Sequence, residues 1–266
     1  MPQSPHTHSH LLVLTACIAP KEGVAGLLHR ADPDVRLRDY IETLQFWLRL
    51  REPSIGGILF ADNSGYPLES LRAVVEHEAN KELPVEIVSF DHPAPPPSLS
   101  YGHSELILIN AALATSALAK RLPYLMKVTG RYRFPDIGRL MGKLPQGYRV
   151  ALDTTGAKPW PWHQRSNPIC GFGLALIETG FYHQYLADIP THMRPAPPWN
   201  RHQFIESMFY DRLYPMRKER GIILRWPCNC EPVAIGSNGM DYRSPRRRLR
   251  AGLRAINRVI LPKLWL

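Results

Sequence analysis

Four cysteines, Cys17, Cys170, Cys228 and Cys230, are too few for the disulfide framework of a small secreted protein. The Cys-x-Cys pair also has no second pair at the spacing a structural zinc site requires, so the thiols read as reduced, in a cytoplasmic protein. No apolar run approaches the twenty or so residues that cross a bilayer as a helix, and no internal repeat or heptad array is visible, so a membrane-spanning helix, a solenoid and a coiled coil are not expected. A glycine-rich phosphate loop is missing as well. Acids are absent from residues 243–266, which carry eight basic residues (Arg243, Arg246, Arg247, Arg248, Arg250, Arg254, Arg258 and Lys263) of the chain's 33, against 23 acids in all. The body therefore carries 25 minus 23, or +2, and the high isoelectric point describes the tail, so no nucleic-acid partner is expected of the body.

What is present is a globular composition. With 266 residues and 44% hydrophobic content the chain can bury a sizeable core. Its 26 prolines gather at 93–97, 159–168 and 190–198, separating core segments by extended loops of the kind that rim active sites. Residues 1–9 read as an unstructured terminus and 10–242 as the folded domain, with His6, His8 and His10 across that boundary forming a weak metal pattern. Leu14-Thr15-Ala16-Cys17 has the form of a lipoprotein cleavage box, but its leader has no Lys or Arg and its apolar segment is short, so a buried first strand is the better reading.

Taken in order, strand and helix alternate. His10 to Ala19 is a continuous apolar strand. Asp32-Pro33 supplies an N-cap and N1 proline, and Leu37, Tyr40, Ile41, Leu44, Trp47 and Leu48 form the helical stripe that follows. A second strand runs from Ile55 to Ala61 and ends at Asp62-Asn63-Ser64-Gly65. Then come a helix over 68–81, a strand over 85–90, a helix over 104–120, and the strand with Lys127. This order predicts an α/β fold with a mainly parallel, doubly wound sheet and a ligand beyond the carboxyl ends of the strands, where Thr15, Asp62 and Lys127 to Arg131 would lie. Phe172 to Ile177 and Ile222 to Trp226 read as later strands.

In Tyr124-Leu125-Met126-Lys127-Val128-Thr129-Gly130-Arg131-Tyr132-Arg133, alternation puts Lys127 and Thr129 on one face, and Gly130 permits close backbone approach. Lys and Arg together suit phosphate oxygens. Glu105, in Gly102-His103-Ser104-Glu105, stands where a loop enters a helix, a place either for an anion on free N–H groups or for a first-turn acid. Asp153, after the strand Tyr148 to Leu152, is either a catalytic acid or part of an Asx turn. Glu206, in a helix with Phe204, Ile205, Met208 and Phe209, is a carboxylate beside an apolar face, the setting for a general base. Trp160, Trp162, His163 and Trp199 stand in the proline loops, where aromatic faces pack on sugars or on the core. In the tail, Leu249, Leu253, Ile256 and Ile260 oppose Arg247, Arg250, Arg254 and Arg258, a basic amphipathic helix suited to an anionic membrane surface, with Leu261, Leu264, Trp265 and Leu266 as further anchors. The competing arrangement docks its leucines on the body and leaves its arginines in water.

Leu14-Thr15-Ala16-Cys17-Ile18-Ala19-Pro20, the helix from Arg36 to Trp47, Phe60-Ala61-Asp62-Asn63-Ser64, Gly102-His103-Ser104-Glu105 and Lys127-Val128-Thr129-Gly130-Arg131-Tyr132 together resemble bacterial GT-A-like glycosyltransferases of surface-polysaccharide assembly, over residues 10–155. The resemblance implies transfer of a sugar from a nucleotide-sugar to a lipid-linked or polysaccharide acceptor, as in O-antigen, capsule or lipopolysaccharide synthesis, by an enzyme peripheral to the inner face of the cytoplasmic membrane. It divides the domain into a nucleotide-sugar half (10–155) and an acceptor-side half (156–242), and gives Asp62 with Ser64 the nucleoside. The family's Asp-x-Asp metal site is replaced by Thr129-Gly130-Arg131, and Asp32-Pro33-Asp34 reads as a helix cap. The expected site is thus Thr15, Asp62, Ser64, Glu105, Lys127, Thr129, Gly130 and Arg131 on the donor, with Lys127 and Arg131 neutralising a leaving diphosphate, no metal ligand, and Glu206 or Asp153 as base. A sugar nucleotidyltransferase and a non-enzymatic binder of anionic lipid or nucleic acid through the tail are the alternatives.

Overall fold

The computed structural model describes residues 9–21, 28–78, 83–94, 99–156, 167–195, 200–236 and 239–260. His6, His8, Trp160, Trp162, His163, Trp199 and the anchors beyond 260 lie outside them.

Apolar periodicity builds the sheet first. β1 (His10–Ala16) is buried along its whole length and pairs in parallel with β2 (Ile55–Asp62) and β4 (Tyr124–Thr129), while β3 (Val85–Ser89) extends β2 in parallel. Beyond β4 comes β8 (Leu174–Glu178), antiparallel to it, and then β5 (Val150–Ala151) and β9 (Ile222–Ile223), giving the order β3-β2-β1-β4-β8-β5-β9. Because β5 is antiparallel to β8 and parallel to β9, only β8 runs against the rest. The short hairpin of β6 (Thr154–Thr155) and β7 (Ile169–Cys170) stands apart.

Helices cover both faces, as continuous apolar strands demand. One face buries Tyr40, Leu44 and Trp47 of α1 (Pro33–Leu50), Leu71 of α2 (Glu69–Glu78) and Ile137 and Leu140 of α4 (Ile137–Met141). The other buries Leu106, Ile109 and Leu113 of α3 (Tyr101–Thr115), Phe181 of α5 (Thr179–Tyr185), Ile189 of α6 (Ile189–His192) and Ile205 and Phe209 of α7 (Ile205–Leu213). The expected mainly parallel, doubly wound α/β fold is therefore observed. Asp32 caps α1 as its sequence predicts, accepting from Val35 N at 2.9 Å with Pro33 at the first helical position. His10 is a core residue of β1 bonded to the Tyr148 hydroxyl, which leaves it no part in an N-terminal metal pattern.

The amphipathic tail helix, α8 (Pro245–Ile260), is present with its faces reversed relative to the ordinary arrangement. Arg254 chelates Glu231, with both contacts at 2.8 Å, and Arg258 reaches Asp153, Asn229 and the Trp226 carbonyl. Leu249, Leu253, Ile256, Val259 and Ile260 face outward. Docking through its leucines, the competing expectation, is not what the structure contains: the carboxylates of the body receive the arginine face instead.

Candidate active site

Gly130 forms the pivot at the carboxyl end of β4. Its N–H donates to the Thr15 carbonyl at 2.8 Å, and a Cβ there would stand 2.6 Å from that oxygen, so the approach of β4 to β1 requires glycine. The turn separates the two cations that the sequence groups together. Lys127 points into the layer beneath α3, while Arg131 turns to α1.

Lys127 is 2% exposed and lies under a small polar cluster. Its Nζ is 2.8 Å from Glu105 Oε1 and 3.2 Å from Thr129 Oγ1, donates to the Phe172 carbonyl, and sits 4.0 Å from the Phe172 ring centre. Thr15 Oγ1 donates to the same Glu105 oxygen at 2.6 Å. Burial pushes the Lys127 pKa down and Glu105 opposes that shift. A lysine so placed is already neutralised within the protein, which argues against its joining Arg131 on a diphosphate.

Glu105 also stands differently from its sequence reading. α3 begins at Tyr101 with Ser100 at the N-cap, so Glu105 is inside the helix and not at its free N–H groups. Gly102 lies so close to α7 that a Cβ there would come within 2.5 Å of Ile205, and this contact brings Glu105 towards Glu206. Part of Glu206 reaches the surface, yet burial raises the pKa of its carboxyl and the charge of Glu105 raises it further, partly offset by a backbone hydrogen bond and by Lys127. Thr15, Glu105, Lys127 and Thr129 thus form one cluster, with Glu206 of α7 within electrostatic reach of it.

Asp62 and Ser64 form another. Asp62 is completely buried and accepts from Ile18 N and Ser64 N at 2.8 Å each, from the Ser64 hydroxyl, and from Ser89 Oγ at 3.2 Å, while Ser64 Oγ receives Ala19 N at 3.1 Å. The pair fastens the segment after β1. Asp153 is separate again: it accepts from Trp226 N at 3.3 Å and is paired with Arg258 of α8.

On the α1 side of Gly130 a cavity of about 240 Å³ opens among Arg30, Arg131, Arg133 and Arg243, with Asp39, Glu42 and Thr43 of α1 and the backbone at Ala234 and Ile235. Asp39 is 3.2 Å from Arg30 and 3.8 Å from Arg131, and Glu42 is 3.6 Å from Arg133. Four cations against two carboxylates leave the lining at +2. The Nε atoms of both Arg131 and Arg133 are buried with no hydrogen-bond partner among the described residues, although Arg131 also donates to the Ile235 carbonyl at 3.3 Å. A wider hollow of about 500 Å³ shares Glu42 and Arg133 but follows the outer surface of α1, away from the strand ends.

The resemblance to GT-A-like enzymes implies a divalent cation at this rim, and the residues do not fit one. Asp39 and Glu42 each face arginine, and the excess charge selects an anion. Among the described residues no three His, Cys, Asp or Glu side chains are grouped for a metal ion. The sequence places Arg131 and Arg133 in one cationic stretch, but it assigns Arg243 to the tail and does not single out Arg30. Arg30 carried a usable signal, because it lies between β1 and α1, where a parallel sheet binds its ligand.

No family model matches the sequence, and no curated protein matches it. Among solved structures the chain is similar to 4-diphosphocytidyl-2C-methyl-D-erythritol synthase from Anaerococcus prevotii, at 8% identity and TM-score 0.43 over 92% of this chain and 95% of that one. It is also similar to core-mannan synthase A from Aspergillus fumigatus in an Mn/GDP form, at 11% identity and TM-score 0.39 over 69% and 63%. A mannosyltransferase from Pyrobaculum calidifontis, in complex with GDP-Man and Mn2+, matches at 10% identity and TM-score 0.41 over 71% of this chain and 50% of that chain. At these scores the functional reading rests on this chain's own residues.

Proposed function

We propose that the protein is a glycosyltransferase that moves a sugar from a nucleotide-sugar to a lipid-linked or polysaccharide acceptor in the assembly of cell-surface glycan. The observation that carries this reading is the cavity beyond the carboxyl end of β4, where four arginines face two carboxylates. A diphosphate has the charge and the acceptor oxygens to meet the arginines, and Arg131 and Arg133 are suited to its planar, paired contacts.

In the reaction the acceptor hydroxyl oxygen bonds to the anomeric carbon as the bond from that carbon to the donor diphosphate breaks. Glu206 takes the hydroxyl proton, and the charge developing on the diphosphate is met by Arg30, Arg131, Arg133 and Arg243. Lys127 holds Glu105 and keeps the floor of the cluster fixed. Gly130 lets β4 close on β1 between this cluster and the arginine cavity, and Asp62 with Ser64 shapes the loop over the nucleoside.

The purified chain is incubated with a panel of nucleotide-sugars and a lipid-linked glycan extract as acceptor, and separately with nucleoside triphosphates and sugar phosphates, and the released product is identified. Release of a nucleoside diphosphate is expected, continuing in excess EDTA, and Arg131→Met lowers the rate about a hundredfold or more. Release of pyrophosphate from a nucleoside triphosphate and a sugar phosphate would make the protein a nucleotidyltransferase. Complete loss in EDTA that added metal restores would overturn the role given to the arginines.

A further inference from the structure

We infer that α8 is a docking element for an anionic lipid bilayer, held on the body by its own arginines so that its apolar face is presented outward. Amphipathic helices on soluble proteins ordinarily turn the apolar stripe to the core. Here the inward row is Arg247, Ala251, Arg254 and Arg258, spaced i, i+4, i+7 and i+11, and it is matched by the body at each step. Arg247 lies over the Tyr242 ring at 5.6 Å, the Ala251 carbonyl receives Asn229 Nδ2, Arg254 chelates Glu231, and Arg258 meets Asp153, Asn229 and Trp226.

The opposite face carries Leu249, Leu253, Ile256, Val259 and Ile260, between 54% and 82% exposed. Five large apolar side chains in one stripe are more than scattered surface hydrophobics, and they mark an interaction face. At about 100° per residue, Arg248 and Arg250 fall on the two flanks of that stripe and Arg246 near its edge, and all three are exposed. Their long stems can lie along the apolar boundary with the guanidinium groups at headgroup level.

Charge selects the occupant. Residues 243–266 contain no acid, so a second copy apposed through the same stripe would set arginine rows against each other, whereas an anionic headgroup layer meets them with opposite charge. The inner arginines are neutralised by Glu231 and Asp153, which leaves the flanking ones for the lipid. The inference does not depend on which reaction the body catalyses.

The test is co-sedimentation of the full-length protein with vesicles of phosphatidylcholine alone and of equal parts phosphatidylcholine and phosphatidylglycerol. Binding to the anionic vesicles and not to the neutral ones is expected, weakening as salt rises. Leu253→Glu with Ile256→Glu should reduce binding about tenfold or more, and Arg248→Glu with Arg250→Glu should reduce it on anionic vesicles. All four positions are exposed, and an unchanged far-ultraviolet circular dichroism spectrum and thermal midpoint establish that each variant is folded. Failure of the wild type to sediment with anionic vesicles overturns the inference, as does equal binding by the Leu253/Ile256 variant. Concentration-dependent dimerisation that this variant abolishes, without vesicle binding, would assign the face to a second copy.

Discussion

Glu206 is set apart from the other carboxylates near the strand ends by what surrounds it. Glu105 is tied to Lys127 and Asp153 to Arg258, whereas burial is the largest influence on Glu206, raising its pKa above the ordinary 4.5. A general base works only when deprotonated. The rate should therefore rise with pH through the raised value, with an acidic limb in kcat/KM centred above 4.5. Glu206→Gln should lower kcat by about a hundredfold to ten-thousandfold and remove that limb, while the Kd for the donor, measured by calorimetry, stays near wild type. Unchanged turnover, or a wild-type limb at or below 4.5, would take the base role from Glu206. The residue type and its apolar neighbours Ile205, Met208 and Phe209 were legible in the sequence. Its proximity to Lys127 was not, because that depends on how closely Gly102 lets α3 approach α7.

α8 carries the same lesson at the scale of an element. Periodicity alone shows a helix with two unlike faces, and it says nothing of which face turns inward, because Glu231 and Asp153, which decide it, belong to other parts of the chain. Where the deciding partner is local, the sequence is sufficient: Asp32 and Pro33 mark the start of α1 correctly. α3 begins before the expected Ser104, with Ser100 at its N-cap making no side-chain capping bond and donating its N–H to the distant Gln203 carbonyl at 3.3 Å. The arginine cavity is harder still, for Arg30, Arg131 and Arg243 come together from three separate segments. Placing Asp153 under α8 makes it a fastener. Asp153→Asn should lower stability by about 2 kcal/mol, because a charged partner of the largely buried Arg258 is lost, and should expose the arginines of α8 to trypsin. Its kcat should stay close to wild type. A fall in kcat as large as that of Glu206→Gln, with α8 still protected, would return Asp153 to the reacting centre.

In the described residues a mainly parallel sheet separates two apolar layers, and the side chain of Lys127 is enclosed on the α3 side with its neighbours Glu105 and Phe172. Taking an ammonium group out of water is costly, and the structure compensates with Glu105, Thr129, the Phe172 carbonyl and the face of its ring. Global unfolding should register the two halves of this pair very differently from their sum. Lys127→Met leaves the Glu105 carboxylate largely enclosed with Thr15 as its donor among the described residues, at a cost of about 3 kcal/mol in urea unfolding. Combining it with Glu105→Leu removes both charges and restores most of that loss, so the double variant should be nearer the wild type than Lys127→Met is. Strict additivity of the two single losses would mean that Lys127 and Glu105 act independently, and the pair would no longer explain how a charged lysine persists inside the sheet.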